Sequence, residues 1–364
     1  MNPDLIPRPD MLGLPGPAWL FQALMALTLA LHWLLLGGAV GGTVVVLIEA
    51  VRARRRREPS HLVRGLAPFL PFFLSMAMTL GIAPLLFVQV LYGHLFYTAN
   101  ILLGWWWLGL LGLVTVNFYL FWWAWRRTRR GERVGWVLPA VALAAFVVCV
   151  AILSSNATLT QSPQAWPEYH AGGFNRLYHG AATFGPRVLM ALATFLAAGG
   201  LIAAGLHRSG LLYAGRIAGP PDRTVGMNVA VPALGGTVAF GALVVAQMPD
   251  AQRAAAMGGP EAAFFYVAAA ALVANLGFGM VARRSASLAP VLAAGAALFV
   301  GLLGVAAVRD TVRRAAIAGL YDPADVPVHP EWLNFGVFAV FLLLGTGVIV
   351  WVVRLARQRP AIRS

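Results

Sequence analysis

Lysine is absent from this chain of 364 residues, and acids are scarce: 27 arginines stand against 13 aspartates and glutamates. Charged residues make up 11% of the whole, where a soluble domain carries roughly 25%. That is too little charge to solvate a water-exposed surface, and it fits a surface that faces lipid. Cysteine is reduced to Cys149. An intrachain disulfide is therefore excluded, and no C-x-x-C-H pattern is present to attach haem covalently. Inside an apolar segment, Cys149 reads as a small buried side chain. A cleavable signal peptide is not expected either. Residues 1–16 are rich in proline, and the apolar run behind them is much longer than a signal h-region. The net charge of +14 does not imply a nucleic-acid partner, because the arginines sit in short runs between apolar stretches.

What is present is hydrophobic sequence, 60% of the chain. It gathers into segments at 18–50, 66–93, 101–125, 134–157, 178–206, 225–248, 261–282, 285–308 and 333–353. Each reaches the ~20 residues that cross a ~30 Å hydrocarbon layer as an α-helix. Helices are required, because a lone strand leaves its backbone groups unpaired in lipid. The expectation is all-α: a polytopic bundle of about nine transmembrane helices in one domain (18–356). An outer segment (1–17) precedes it, and a cytoplasmic tail (357–364) follows.

The arginines set the orientation. Arg52, Arg54 to Arg57 and Arg64 follow the first segment, and Arg126, Arg127, Arg129, Arg130 and Arg133 follow the third. Arg208, Arg216 and Arg223 follow the fifth, Arg283 and Arg284 the seventh, and Arg354, Arg357, Arg359 and Arg363 the ninth. The opposite side has only Arg8, Arg176, Arg253, Arg309, Arg313 and Arg314. By the positive-inside rule the rich side is cytoplasmic, so the N-terminus is outside.

No acid falls at mid-membrane, Glu49 lying at the cytoplasmic end of the first segment, which argues against an ion-coupled carrier with a buried carboxylate string. Asp310 and its arginine neighbours fall in an outer loop, 309–332. Trp105, Trp106 and Trp107 read as an interfacial aromatic belt. Three histidines stand apart: His32 within the first segment, His94 at the outer end of the second, and His179 at the outer start of the fifth. Arg187 lies near the same boundary. Imidazoles from separate helices can ligate haem iron, and an arginine can neutralise a propionate. The plainer alternatives are packing or hydrogen-bonding histidines, with His94 simply interfacial. His32, between Leu31 and Trp33, has no evident local partner.

At these residues the chain resembles subunit I of the cytochrome bd quinol oxidases. Ala23 to Leu36 (ALMALTLALHWLLL) is similar to that family's first helix, where an A-L-x-A-L-x-H-F-L-F pattern carries a haem-ligating histidine and a glutamate follows, as Glu49 does here. Gly81 to Gly104 resembles the second helix and its outer turn. Leu153 to Ala157 with Gln161, Ser162 and Pro163 is similar to the N-G-W-M-Q-x-P element, and His179 takes the place of a histidine expected at helix five. The likeness covers roughly residues 1–210. Beyond it the chain departs: residues 249–260 replace a long outer quinol loop, the G-R-x-x-x-R-Q-P-W motif is absent, and segment three lacks the family's glutamates. Met280 lies at the cytoplasmic end of segment seven, so Met248 is the substitute for the family's axial methionine.

The resemblance implies a haem b-binding subunit of a respiratory complex in a bacterial-type inner membrane. It would pass electrons between quinol and an outer-face partner such as a c-type cytochrome, beside other membrane subunits. His32 and His179 are the expected haem iron ligands, His94 the alternative ligand, and Arg187 the propionate partner. Two further readings are a divergent bd-type quinol oxidase and a haem-free membrane scaffold or transporter.

Overall fold

A computed structural model describes residues 13–56, 60–173, 175–212 and 224–358. Arg8, Arg57, Arg216, Arg223, Arg359 and Arg363, with most of the predicted outer segment and tail, lie outside the described residues. Among the described residues the long elements are α-helices: α1 (Ala18–Arg56), α2 (His61–Leu66), α3 (Phe69–Leu103), α4 (Trp105–Arg129), α5 (Val137–Thr160), α6 (Trp166–Ala171), α7 (Phe184–Arg208), α8 (Met227–Ala246), α9 (Asp250–Gly258), α10 (Ala262–Arg284), α11 (Ala289–Ala316) and α12 (Trp332–Gln358). Eight stretches of described helix are long and apolar enough to cross a membrane. α12 overlies the ninth predicted segment, with an apolar portion at Trp332–Val348. The protein is a multi-pass membrane helical bundle.

α1 is the central helix and packs against α3, α5, α7 and α11. Its contact with α7 is backbone to backbone. A Cβ on Gly41 would lie 2.4 Å from the Phe195 carbonyl oxygen and 2.8 Å from the Gly199 Cα. Small residues permit this approach, which substitutes for the hydrophobic driving force that lipid removes. Apolar clusters close the two ends. One joins Val46, Leu66, Leu70, Phe121, Phe146 and Leu212, and the other joins Phe21, Met25, Tyr92, Leu159, Trp166 and Tyr169.

The arginine-bearing connections share the first of these ends. Arg64 Nη2 donates to the Gly131 carbonyl at 3.2 Å, and Arg208 donates to the carbonyls of Ala282 and Ser287, both at 2.8 Å. We call this the arginine end and the other the opposite end.

Three boundaries differ from the sequence reading. α3 runs on to Leu103 and is separated from α4 by Gly104 alone, whose φ of 54° suits glycine. His94 therefore lies inside a helix rather than at its end. α7 starts at Phe184, which leaves His179 in the preceding loop. α11 continues to Ala316, past the expected limit at 308, and carries Arg309, Asp310, Arg313 and Arg314 into the bundle. Asp310 and Arg313 are each only 4% exposed. The expected loop placement fails because a salt-bridged cluster can continue a helix where a run of unpaired charges would end it.

α3 is also broken. Pro84 lacks the N–H that would bond one turn back, and Tyr92 leaves helical geometry (φ −136°, ψ 28°). The Leu91 carbonyl accepts instead from the Tyr321 hydroxyl at 2.7 Å. Burial, with Asp322 nearby, pushes the Tyr321 phenol up to about 12, so the hydroxyl keeps the proton it donates.

Candidate functional site at His32

Phe21 and Met25 are nearly fully buried, and His32, seven residues beyond Met25, lies on the same inward face of α1. The His32 Nδ1 lies 2.7 Å from the Ala77 carbonyl oxygen. A carbonyl can only accept, so Nδ1 carries the proton and Nε2 keeps its lone pair. No hydrogen bond occupies Nε2 among the described residues. The ring reaches Ala77 by lying over Gly81, where a Cβ would be 2.8 Å from Nδ1 and Cε1. Glycine at this position is what permits the contact.

His32 lines two cavities. The first, of about 260 Å³ and half-open, is bounded by α1, α5, α7, α8, α10 and α11. Its wall is mainly apolar and includes Trp33, Arg187, Met190, Met248 and Arg309. Arg187 Nη2 donates to Thr158 Oγ1 at 2.5 Å, and its Nε donates to the Thr183 carbonyl at 3.3 Å. Among the described residues no carboxylate lies within ion-pair distance of Arg187 or Arg309. The second cavity, of about 170 Å³, shares His32, Trp33 and Arg309 and adds Phe96, Trp107, Asp310 and Arg313.

The second cavity ends on a buried ionic cluster. The Tyr92 hydroxyl donates to Asp310 Oδ1 at 2.8 Å, and Arg313 Nη1 donates to the same oxygen at 3.0 Å. The Arg313 guanidinium stands over the Tyr92 ring, 4.6 Å from its centroid. Asp310 Oδ2 accepts no hydrogen bond, although Arg314 Nε is 3.5 Å away. Arg314 pairs with Glu261, whose carboxylate also accepts from the Thr311 hydroxyl. Burial would raise the Glu261 carboxyl, but these two bonds hold it below its ordinary value.

Of the predicted residues, His32, Arg187 and Met248 meet on one cavity wall. His94 and His179 do not line either cavity. The His94 ring packs edge-on to Tyr321, with centroids 4.5 Å apart. His179 is exposed in the loop before α7, 6.3 Å from the Phe184 ring. Trp105 and Trp106 are exposed, whereas Trp107 turns inward onto Phe96. Cys149 is buried and free, and Glu49 pairs with Arg52.

Sequence reading missed Met190, Arg309 and the Asp310–Arg313 pair. A signal for the last was available: 309, 310, 313 and 314 follow the helical period directly behind an apolar run.

The donor set fits a haem b. It offers an imidazole nitrogen with a free lone pair, two thioethers, and two guanidiniums without an ion-paired carboxylate among the described residues, matching two propionates. The free volume, about 260 Å³, is below that of a drug-sized ligand site. No protein-family model matches the chain, and no curated protein matches it.

Proposed function

We propose that this protein is a haem b-binding membrane subunit of a respiratory electron-transfer complex. It passes electrons from quinol in the bilayer to an outer-face partner such as a c-type cytochrome. One observation carries this reading: an imidazole with an open Nε2 shares an apolar cavity with two guanidiniums that have no carboxylate within ion-pair distance among the described residues. Two part-buried cations without an ion-paired carboxylate are costly in a low-dielectric interior. An apolar ligand with two carboxylates answers that charge. Haem supplies one-electron chemistry when bound.

In this role His32 is the nitrogen ligand, held in one tautomer by Ala77, and Met248 is the candidate sulfur ligand. Arg187 and Arg309 would hold the propionates. Thr158 and Thr183 keep the Arg187 guanidinium aimed along the wall. The resemblance to cytochrome bd subunit I supports the assignment of His32, and its departures argue against oxygen reduction. The positive-inside rule makes the arginine end cytoplasmic in a bacterial-type inner membrane, so the site lies toward the outer face. The test is a visible spectrum of the purified, dithionite-reduced chain, set against its His32→Ala variant.

A further inference from the structure

We infer that the cleft between α1, α2 and the α4–α5 connection binds the phosphodiester of an anionic glycerophospholipid from the leaflet at the arginine end. The inference is independent of the haem reading, and it holds whichever side of the membrane that end faces.

The sequence supplies its cations in one form only. With no lysine in the chain, every Lys-or-Arg cation in the cleft is a guanidinium, a planar fork that matches two phosphate oxygens at once. Arg54 on α1, Arg64 on α2 and Arg133 in the α4–α5 connection line a half-open cleft of about 150 Å³. Glu132, the acid on its wall, already pairs with Arg127 at 3.2 Å and lies 4.0 Å from Arg130. Among the described residues no carboxylate lies within ion-pair distance of Arg54 or Arg64. The cleft therefore keeps an excess of positive charge. Its walls are tied together, because Arg64 Nη2 donates to the Gly131 carbonyl at 3.2 Å and so joins α2 to the turn after α4. Ser60 accepts from the Val63 N–H at 3.3 Å as the cap of α2. That bond uses a lone pair of the hydroxyl and leaves its proton to donate.

The rest of the wall points to a lipid rather than a free ion. Ala50, Ala53, Val63 and Val134 make part of the cleft apolar. Trp136 also lines it and is 43% exposed, and tryptophans mark the headgroup level of a membrane. From there α5 carries Val137, Val141 and Ala144, exposed at i, i+4 and i+7 on one face, into the hydrocarbon. Room of this size holds one benzene-sized group, so the headgroup enters and the acyl chains lie outside on that stripe. Basic pockets between membrane helices hold anionic headgroups in this way. A choline headgroup brings an ammonium against the same guanidiniums and is rejected by like charge.

The experiment is native mass spectrometry of the delipidated full chain in detergent, titrated with phosphatidylglycerol or phosphatidylcholine of equal chain length. One equivalent of phosphatidylglycerol should bind in preference to phosphatidylcholine. Arg54→Glu should weaken that binding on the order of 30-fold, since one surface cation is lost and one anion gained. Arg283→Glu makes the same charge change at the same end, outside the cleft, and should leave the affinity unchanged. Arg54 and Arg283 are both exposed, so neither substitution disturbs the packed interior. If Arg54→Glu does not fold, Arg54→Gln decides, with an expected loss of about 5-fold. Equal losses for Arg54→Glu and Arg283→Glu, or no preference for phosphatidylglycerol, overturn the site. Displacement of the lipid by equimolar inorganic phosphate makes the cleft a free-phosphate site and overturns the lipid assignment.

Discussion

The hydroxyl of Tyr92 donates a hydrogen bond to the carboxylate of Asp310 across 218 positions of sequence, tying the break in α3 to the last turns of α11. The same carboxylate neutralises Arg313, which is as buried as Asp310 itself. Removing the carboxylate strands a buried guanidinium, whereas removing the hydroxyl costs a single bond. Asp310→Ala should therefore destabilise the bundle by about 3–5 kcal/mol. Tyr92→Phe should cost about 1 kcal/mol, a typical scale for a hydrogen bond within a membrane bundle. Denaturation in mixed micelles measures both. Equal losses for the two variants would show that Asp310 does not compensate Arg313.

Acid should loosen the junction of α10 and α11. The Glu261 carboxyl titrates below its ordinary value of 4.5, because the Thr311 and Arg314 bonds outweigh the opposing effect of burial. A depressed folded-state value means stability that is present above pH 4.5 and lost as the pH falls through the folded-state value. Glu261→Gln should flatten the slope of melting temperature against pH below pH 4.5. Parallel slopes for the variant and the parent chain would remove Glu261 from the acid response.

Topology follows from the arginines. With Cys149 buried, a cysteine introduced for Ala254, exposed on α9, gives a clean signal. It should react in intact cells with a thiol reagent that cannot cross the inner membrane, and a reporter fused after Arg363 should be active in the cytoplasm. Protection of residue 254 until the membrane is opened would invert the orientation.

The purified chain should not reduce oxygen at a meaningful rate. Forming water from O₂ takes four protons, and delivery through a low-dielectric interior needs ionisable relays. No Asp or Glu lines the first cavity, and Asp310 is held by Tyr92 and Arg313. Quinol-dependent oxygen uptake and a carbon monoxide difference spectrum test this together. Rapid uptake with a strong carbon monoxide band would favour the oxidase reading.

Much of the architecture was legible in the sequence because lipid leaves little choice. A run of ~20 apolar residues in hydrocarbon has to be helical, and the eight long described helices and α12 overlie the predicted segments. His32 was legible for a related reason, since an imidazole among leucines needs a partner that its own segment lacks. The partner, the Ala77 carbonyl, lies 45 positions away and could not be read from a one-dimensional pattern. The ionic cluster was misplaced because each charge was judged singly. Arg309 to Arg314 look like a loop until Tyr92 and Glu261 are seen to meet them. His179 shows the reverse: its place in the sequence suited a ligand, but a helix that begins five residues later leaves it at the surface.

The measurement closest to the central claim is the dithionite-reduced visible spectrum and haem content of the purified chain and its His32→Ala variant. The parent chain should show reduced b-type bands with stoichiometric haem. The variant should lose that haem or shift its bands, because Trp33 and Leu31 offer no replacement for Nε2, and the Asp310 cluster should keep the fold intact. A parent chain free of haem, or a variant with an unchanged spectrum and haem content, would contradict the assignment.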